Sequence, residues 1–173
     1  RAIYGEENLL DELKGHMYKL VESAPERFFV NLGYNALQYE PPLTFFRKIR
    51  TEKIDGEKQF NLKHAMRTMV DLARVYALRH QVQATNTSER IQSLQGKGVF
   101  SEAECQELNH AFSYLMALRL ENQAEIIMAK SPQPLNWVKI DRLTKVQTVT
   151  LIEIFKVIRD FQARMRISFT KSL

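Results

Sequence analysis

Two polar side chains lie within an otherwise apolar helical stripe, where a charge requires a partner. Arg119 lies between Leu115 and Ile126 on the apolar face of a long predicted helix, and Gln123 follows one turn later. An uncompensated buried guanidinium is very costly, so Arg119 needs a carboxylate, a phosphate or a carbonyl beside it. Asp71 is the candidate within the chain, because it is also flanked by apolar residues.

This arrangement has two interpretations. In the first, Asp71 and Arg119 form a structural ion pair that joins two helices. In the second, Arg119 and Gln123 line an anion-binding cleft together with Arg74 and Arg90. Both interpretations predict that Asp71 and Arg119 lie close together.

Asn86 and Thr87 also have two interpretations. They precede a short predicted helix that contains Arg90, so they are suited to cap its first turn. The same position exposes the N–H groups of a helix N-terminus, where a phosphate binds readily. Capping and phosphate binding both remain open from the sequence.

The elements that must position these residues are mainly helical. Periodicity predicts an all-α fold, a bundle of about six helices with one small β-hairpin insertion. The central helix extends from Leu62 to about His80, and charged residues on its outer side alternate with Val75 and Leu78. A helix that is apolar on nearly every face is usually covered on more than one side. Its inward face is formed by Leu62, Met66, Met69, Ala73 and Tyr76.

Three Ser/Thr-x-x-Glu/Gln sequences have the form of capping boxes and predict helix starts. The first predicts a helix from about Ala24 to Tyr39, after an initial helix over Glu6 to Glu22. The second predicts a helix that extends to about Lys130, and the segment between it and the third is expected to be irregular. The three pairs are Ser23 with Glu26, Ser101 with Glu104, and Thr144 with Gln147.

The helical period disappears between Phe45 and Leu62, where Asp55-Gly56 suits a type I′ hairpin turn. Pairing outward from this turn sets Thr51 opposite Phe60 and Ile49 opposite Leu62. A two-stranded hairpin is marginal in water. We therefore expect the hairpin to pack on the helices.

Composition limits the class of protein. The 173 residues contain a single cysteine, Cys105, which excludes an intrachain disulfide framework and suggests a reducing compartment. No apolar run approaches the roughly 20 residues that span a bilayer, so we expect a cytoplasmic protein with no membrane partner. The net charge of +5 favours an anionic ligand. The chain begins with Arg1 rather than Met, which suggests a fragment of a longer protein.

The segment VDLARVYALRH at 70–80, followed by NTSERIQSL at 86–94, resembles the family of putative nucleotidyltransferase substrate-binding domains. The resemblance extends from about Pro41 to Phe169. Members of this family lie C-terminal to a nucleotidyltransferase domain similar to that of protein-PII uridylyltransferases, often with CBS pairs or a cyclic-nucleotide-binding domain further upstream. The resemblance implies linking helices over residues 1–40 and a helical substrate-binding domain over 41–173, or one continuous domain over 1–173.

The resemblance also implies the function: the C-terminal substrate-binding domain of a bacterial, uridylyltransferase-like signalling protein. Its partner would be the upstream nucleotidyltransferase domain, with a nucleotide or a protein as substrate, and nucleic acid is not an expected partner. We expect no cofactor in this chain, and Mg²⁺ with a nucleoside triphosphate in the catalytic domain. The expected substrate-binding residues are Asp71, Arg74, Asn86, Thr87, Arg90, Arg119 and Gln123.

The catalytic signature of a nucleotidyltransferase is absent from the sequence. That signature is a Gly-Ser or Gly-Gly turn followed by paired aspartates that hold Mg²⁺. The four histidines also lack Cys or carboxylate neighbours at metal-ligand spacing. We therefore expect no catalytic residue and no metal site, and the chain by itself is not expected to be an enzyme.

Two alternative functions remain. The chain could be a helical module that docks or dimerises through its faces. Alternatively, Arg74 and His80 resemble the Arg-to-His motif of HEPN-type ribonucleases, in which such a pair polarises a phosphate and moves a proton.

Overall fold

The computed structural model describes residues 5–170 and contains six α-helices in that range, which confirms the predicted helical bundle. A small antiparallel sheet and one turn of 3₁₀ helix at Ile140–Arg142 complete the fold. The helices are α1 (Glu7–Glu22), α2 (Glu26–Ala36), α3 (Leu62–Arg79), α4 (Thr87–Gly96), α5 (Glu102–Met128) and α6 (Lys145–Thr170). The strands are β1 (Glu52–Ile54), β2 (Glu57–Asn61) and β3 (Trp137–Lys139).

The central helix α3 packs against each of the other five helices. Every residue of its predicted inward face is buried. Tyr76 lies at an aromatic junction, where its ring centroid is 5.1 Å from that of Phe100, 5.5 Å from Phe161 and 5.2 Å from Phe169. The apolar periodicity of α3 is therefore satisfied on several sides, as a helix with little polar surface requires.

Helix α6 supplies the opposite side of the core and approaches α2 closely. Its buried apolar residues are Leu151, Ile154, Phe155, Ile158, Phe161, Met165 and Phe169. A Cβ atom at Gly33 of α2 would lie 3.0 Å from the Cβ of Phe169. A side chain at this position would therefore crowd Phe169 where these two helices meet.

Two of the three predicted capping boxes are confirmed. Ser101 and Glu104 exchange side-chain and backbone bonds at the start of α5, and Thr144 and Gln147 do so at the start of α6. The prediction for Ser23 was wrong, because its hydroxyl donates to carbonyls of the last turn of α1, and α2 begins after Pro25.

The predicted hairpin is confirmed, but the sheet is larger than predicted. Strands β1 and β2 pair in the expected register, and Asp55 and Gly56 both have the positive φ of a type I′ turn, 51° and 81°. β1 begins only at Glu52, so the pairings proposed beyond it are not formed. The segment expected to be irregular supplies β3, which pairs with β2 and places Val138 opposite Phe60. Phe60 is buried against the ring of Phe155.

Helix α1 leaves most of its apolar stripe in solvent. Leu9, Leu13 and Leu20 are about 60% exposed, at 62%, 65% and 58%. The helix is attached mainly near its C-terminal half, where the Tyr18 hydroxyl donates to the Val82 carbonyl at 3.2 Å. Among the described residues, no helix combines the length and apolarity needed to cross a bilayer.

Candidate anion-binding site

Asp71 has different partners from the one that the sequence suggested. Its carboxylate accepts hydrogen bonds from Arg67 Nε at 3.3 Å and from Arg74 Nη1 at 3.0 Å. Both arginines lie on α3, within four residues of Asp71, the spacing at which helical side chains meet. The predicted Asp71–Arg119 ion pair is therefore wrong.

Arg119 is satisfied instead by a neutral side chain from the loop before β3. Its Nε donates to Asn136 Oδ1 at 3.1 Å, and Gln123 Nε2 donates to the same oxygen at 3.4 Å. The Asn136 carbonyl accepts from the backbone N–H of Leu62, the first residue of α3. Arg119 and Gln123 do lie together, as their spacing predicted, and they tie α5 to the start of α3.

The seven predicted residues therefore fall into two groups. The Arg119 group meets α3 at Leu62, whereas Arg74 lies twelve residues later on the same helix. At 1.5 Å per residue, this separation is about 18 Å along the helix axis. A single small anion cannot contact both groups. The prediction of one anion-binding cleft that contains all these residues is therefore wrong.

Two members of the second group, Arg74 and Arg90, line a cavity of about 220 Å³ between α1, α3 and the segment that leads into α4, which we call the Arg90 pocket. Its cationic residues are Lys14, Arg74 and Arg90, and none of the described lining residues is acidic. Arg90 is half-buried, and its Nε donates to the Ala84 carbonyl at 2.9 Å. That bond fixes the direction of the guanidinium.

Positive charge accumulates in this pocket without full compensation. Burial lowers the pKa of the Arg90 guanidinium from its ordinary value, and the charge of Arg74 lowers it further. Arg74 is held by Asp71, while Lys14 pairs with the exposed Asp11 at 3.5 Å. Because like charges face each other, a bound anion would relieve their repulsion.

Asn86 and Thr87 directly follow Thr85, which lines the Arg90 pocket, but neither of them is among its lining residues. The Asn86 side chain accepts from the backbone N–H of Ser88 at 2.8 Å, so the capping interpretation is confirmed for this residue. Thr87 is buried, at 8% exposure. A phosphate-binding role for these two residues stays a prediction.

Sequence reasoning missed the contribution of α1 to the pocket. Lys14, Met17 and Tyr18 line it, although this helix had been interpreted as part of a linker. Lys14 and Tyr18 are four residues apart, the spacing that places two side chains on one helical face. That spacing was the available signal, but it does not identify which element the face meets.

The residues of the ribonuclease alternative do not converge. Arg74 and His80 are six residues apart, which places them about 120° apart around a helix. Arg74 is paired with Asp71, and the His80 ring stacks 6.4 Å from that of Tyr76. Burial, followed by the charges of Arg79 and Lys97, lowers the pKa of the His80 imidazole. Among residues 5–170, no three His, Cys, Asp or Glu side chains are grouped to hold a metal ion.

The comparison with protein families gives a match over most of the chain. The family model described as "Putative nucleotidyltransferase substrate binding domain" matches residues 26–169. The chain belongs to this family. No curated protein and no solved structure gives a significant match.

The extent of the match divides the Arg90 pocket. The match begins at the first residue of α2 and ends near the C-terminus of α6, so it contains Arg74 and Arg90. Lys14 and Tyr18 belong to α1, which lies outside the match. The pocket is therefore built jointly by residues inside the match and residues of the helix before it.

Proposed function

We propose that the chain is the substrate-binding domain of a bacterial, uridylyltransferase-like nucleotidyltransferase with a signalling role in the cytoplasm. The family match over residues 26–169 is the observation that carries this proposal. In this arrangement, the chain holds the acceptor while a neighbouring domain of the same protein performs nucleotidyl transfer.

The Arg90 pocket is the proposed acceptor site. Guanidinium groups recognise phosphate and carboxylate oxygens with paired hydrogen bonds. Arg90 is directed by its bond to Ala84, and Arg74 by its pair with Asp71. The acceptor class that fits this charge is a phosphorylated or carboxylated molecule, or an acidic segment of a protein.

The chemistry itself is assigned to the neighbouring domain. Nucleotidyl transfer requires carboxylates that hold Mg²⁺ on the triphosphate, and the sequence of this chain lacks the glycine turn with paired aspartates. The Mg²⁺ and the nucleoside triphosphate that react in the transfer step are therefore proposed to bind in the neighbouring domain.

Helix α1 is the proposed contact with the transferase domain. Its exposed leucines form a continuous stripe, at Leu9, Leu13 and Leu20, and exposed apolar patches commonly mark protein contacts. Because α1 also supplies Lys14 to the Arg90 pocket, docking at this stripe would bring the transferase domain next to the acceptor.

Label transfer from α-³²P nucleoside triphosphates with Mg²⁺ tests the division of labour. The chain alone should label no protein or small-molecule acceptor above a protein-free control. A longer chain that includes the residues encoded immediately upstream should transfer the label. Transfer by the chain alone would refute the proposal, as would an upstream segment that lacks both a Gly-Ser or Gly-Gly turn and the paired aspartates.

A further inference from the structure

A hydrogen-bonded turn over residues 43–49 holds two aromatic rings in solvent. An antiparallel bridge closes its base. Within the turn, the Thr44 N–H donates to the Lys48 carbonyl at 2.8 Å, and the Thr44 hydroxyl accepts from the Lys48 N–H at 3.0 Å. Phe45 and Phe46 are nevertheless 92% and 81% exposed. The turn therefore presents these rings on an ordered backbone.

Phe45 lines a cleft of about 300 Å³ between this turn and α6, which we call the Phe45 cleft. Arg50 lines it from the turn side, and Arg159 and Arg166 line it from α6. The two α6 arginines are seven residues apart, so they share a helical face and lie roughly 10 Å apart along the axis. The buried Gln162 between them is fixed by a 2.6 Å hydrogen bond to a backbone carbonyl.

The Phe45 cleft has a net positive charge. Glu40 also lines it and is 4.0 Å from Arg50, with both side chains more than half exposed, at 64% and 60%. An ion pair that is this long and this exposed contributes little. An anionic ligand can therefore take Arg50 from Glu40 at small cost.

We propose that the Phe45 cleft binds a nucleoside phosphate, with the base stacked on Phe45 and the phosphates held by Arg50 and Arg159. Every base has a π-face, so a ring held in solvent beside cations suits stacking without base selection. The guanidinium groups match phosphate oxygens in paired geometry. This inference goes beyond the proposed function and uses residues outside the Arg90 pocket.

The two phenylalanines provide a matched comparison. They are adjacent and similarly exposed, and their rings pack edge to face with centroids 5.6 Å apart. Only Phe45 is among the described residues that line the cleft. A nucleotide should require Phe45 alone. An anionic lipid surface would instead engage both rings at the tip of the turn.

Calorimetric titration of ATP, UTP and inorganic tripolyphosphate into the Arg90→Gln chain tests the proposal. The Arg90→Gln substitution weakens anion binding at the Arg90 pocket, so that the Phe45 cleft is measured separately. ATP and UTP should bind with similar affinity, since stacking tolerates either base. Phe45→Ala should weaken both by about tenfold and leave tripolyphosphate unchanged. Arg159→Gln should weaken all three by about tenfold, and Phe46→Ala should change each by no more than about twofold.

Several results would overturn the proposal. The first is that the Arg90→Gln chain binds no nucleotide. The second is that nucleotide affinity is unchanged by Phe45→Ala. The third is that Phe45→Ala and Phe46→Ala reduce nucleotide affinity equally. Binding to phosphatidylserine vesicles that either phenylalanine substitution abolishes would assign the turn to a membrane surface instead. None of these outcomes changes the expectation for anions at the Arg90 pocket, so the two proposals fail separately.

Discussion

The hydrogen bonds of Arg119 give a quantitative prediction about coupling. Its Nε donates to Asn136 Oδ1 at 3.1 Å, and both side chains are half-buried. A hydrogen bond that involves a charged group contributes about 1.5–3 kcal/mol, and partial exposure favours the lower end. Asn136→Ala and Arg119→Met should each destabilise the fold. Their double-mutant cycle should give a coupling energy of about 1.5 kcal/mol.

The same cycle for Arg119 and Asp71 provides the matched control. Asp71 bonds to Arg67 and Arg74 instead, and residues without shared partners add within about 0.5 kcal/mol. Urea unfolding of the single and double variants gives each coupling energy. A coupling above about 1 kcal/mol between Arg119 and Asp71, or one below about 0.5 kcal/mol between Arg119 and Asn136, would refute this reasoning.

Three further predictions concern the local structure, at the α4 cap, at two helical glycines and at Glu104. Asn86→Ala should lower the free energy of unfolding by about 1 kcal/mol through loss of the α4 cap, while Asn86→Asp should retain it, as measured by urea unfolding. Gly33→Ala should destabilise by about 1–3 kcal/mol because the new methyl meets the buried Phe169, whereas Gly15→Ala, where no atom is near, should stabilise by about 0.5–1 kcal/mol. The Glu104 carboxylate accepts a hydrogen bond from the backbone N–H of Ser101, and this bond is the main cause that lowers the pKa of Glu104. Its stabilising contribution is therefore present above the unfolded pKa of about 4.3 and is lost as the pH falls through the lower folded value. Glu104→Gln should flatten this acid limb in thermal unfolding measured across pH, and an unchanged limb would contradict the assignment.

The helices were predictable because their signals are local. Buried positions at steps of three and four define α3, and the confirmed caps at Ser101 and Thr144 need only residues three positions away. The cap at Ser23 failed because Glu26 bonds instead to Arg79, at 2.7 Å, on a different helix. A tertiary contact replaced the local one, and no local pattern reveals that competition.

The remaining differences concern long-range partners. Strand β3 is three residues long, and its partner β2 lies about 80 residues earlier in the chain. No hairpin turn connects the two strands, so no local pattern predicts β3. The sequence showed that Arg119 needs an acceptor but did not identify Asn136, a neutral residue in a loop. For Asp71, the arginines on its own helix were closer than any on α5.

Of the candidate site, the sequence identified Arg74 and Arg90 but not the wall that completes their pocket. Lys14 and Tyr18 come from a helix outside the family match. Phe45 and Arg50 of the Phe45 cleft were also not singled out, because the face of α6 that they meet is defined only by tertiary packing.

The central claim is that the Arg90 pocket binds an anionic group of the substrate. Its most direct test is the NMR signal of each arginine Nε–H during a pyrophosphate titration of the chain. The signals of Arg90 and Arg74 should shift and saturate together, while that of Arg142, which pairs with Glu125 away from the pocket, should not follow them. An Arg90 signal that stays unchanged, or one that drifts without saturation as Arg142 does, would contradict the claim.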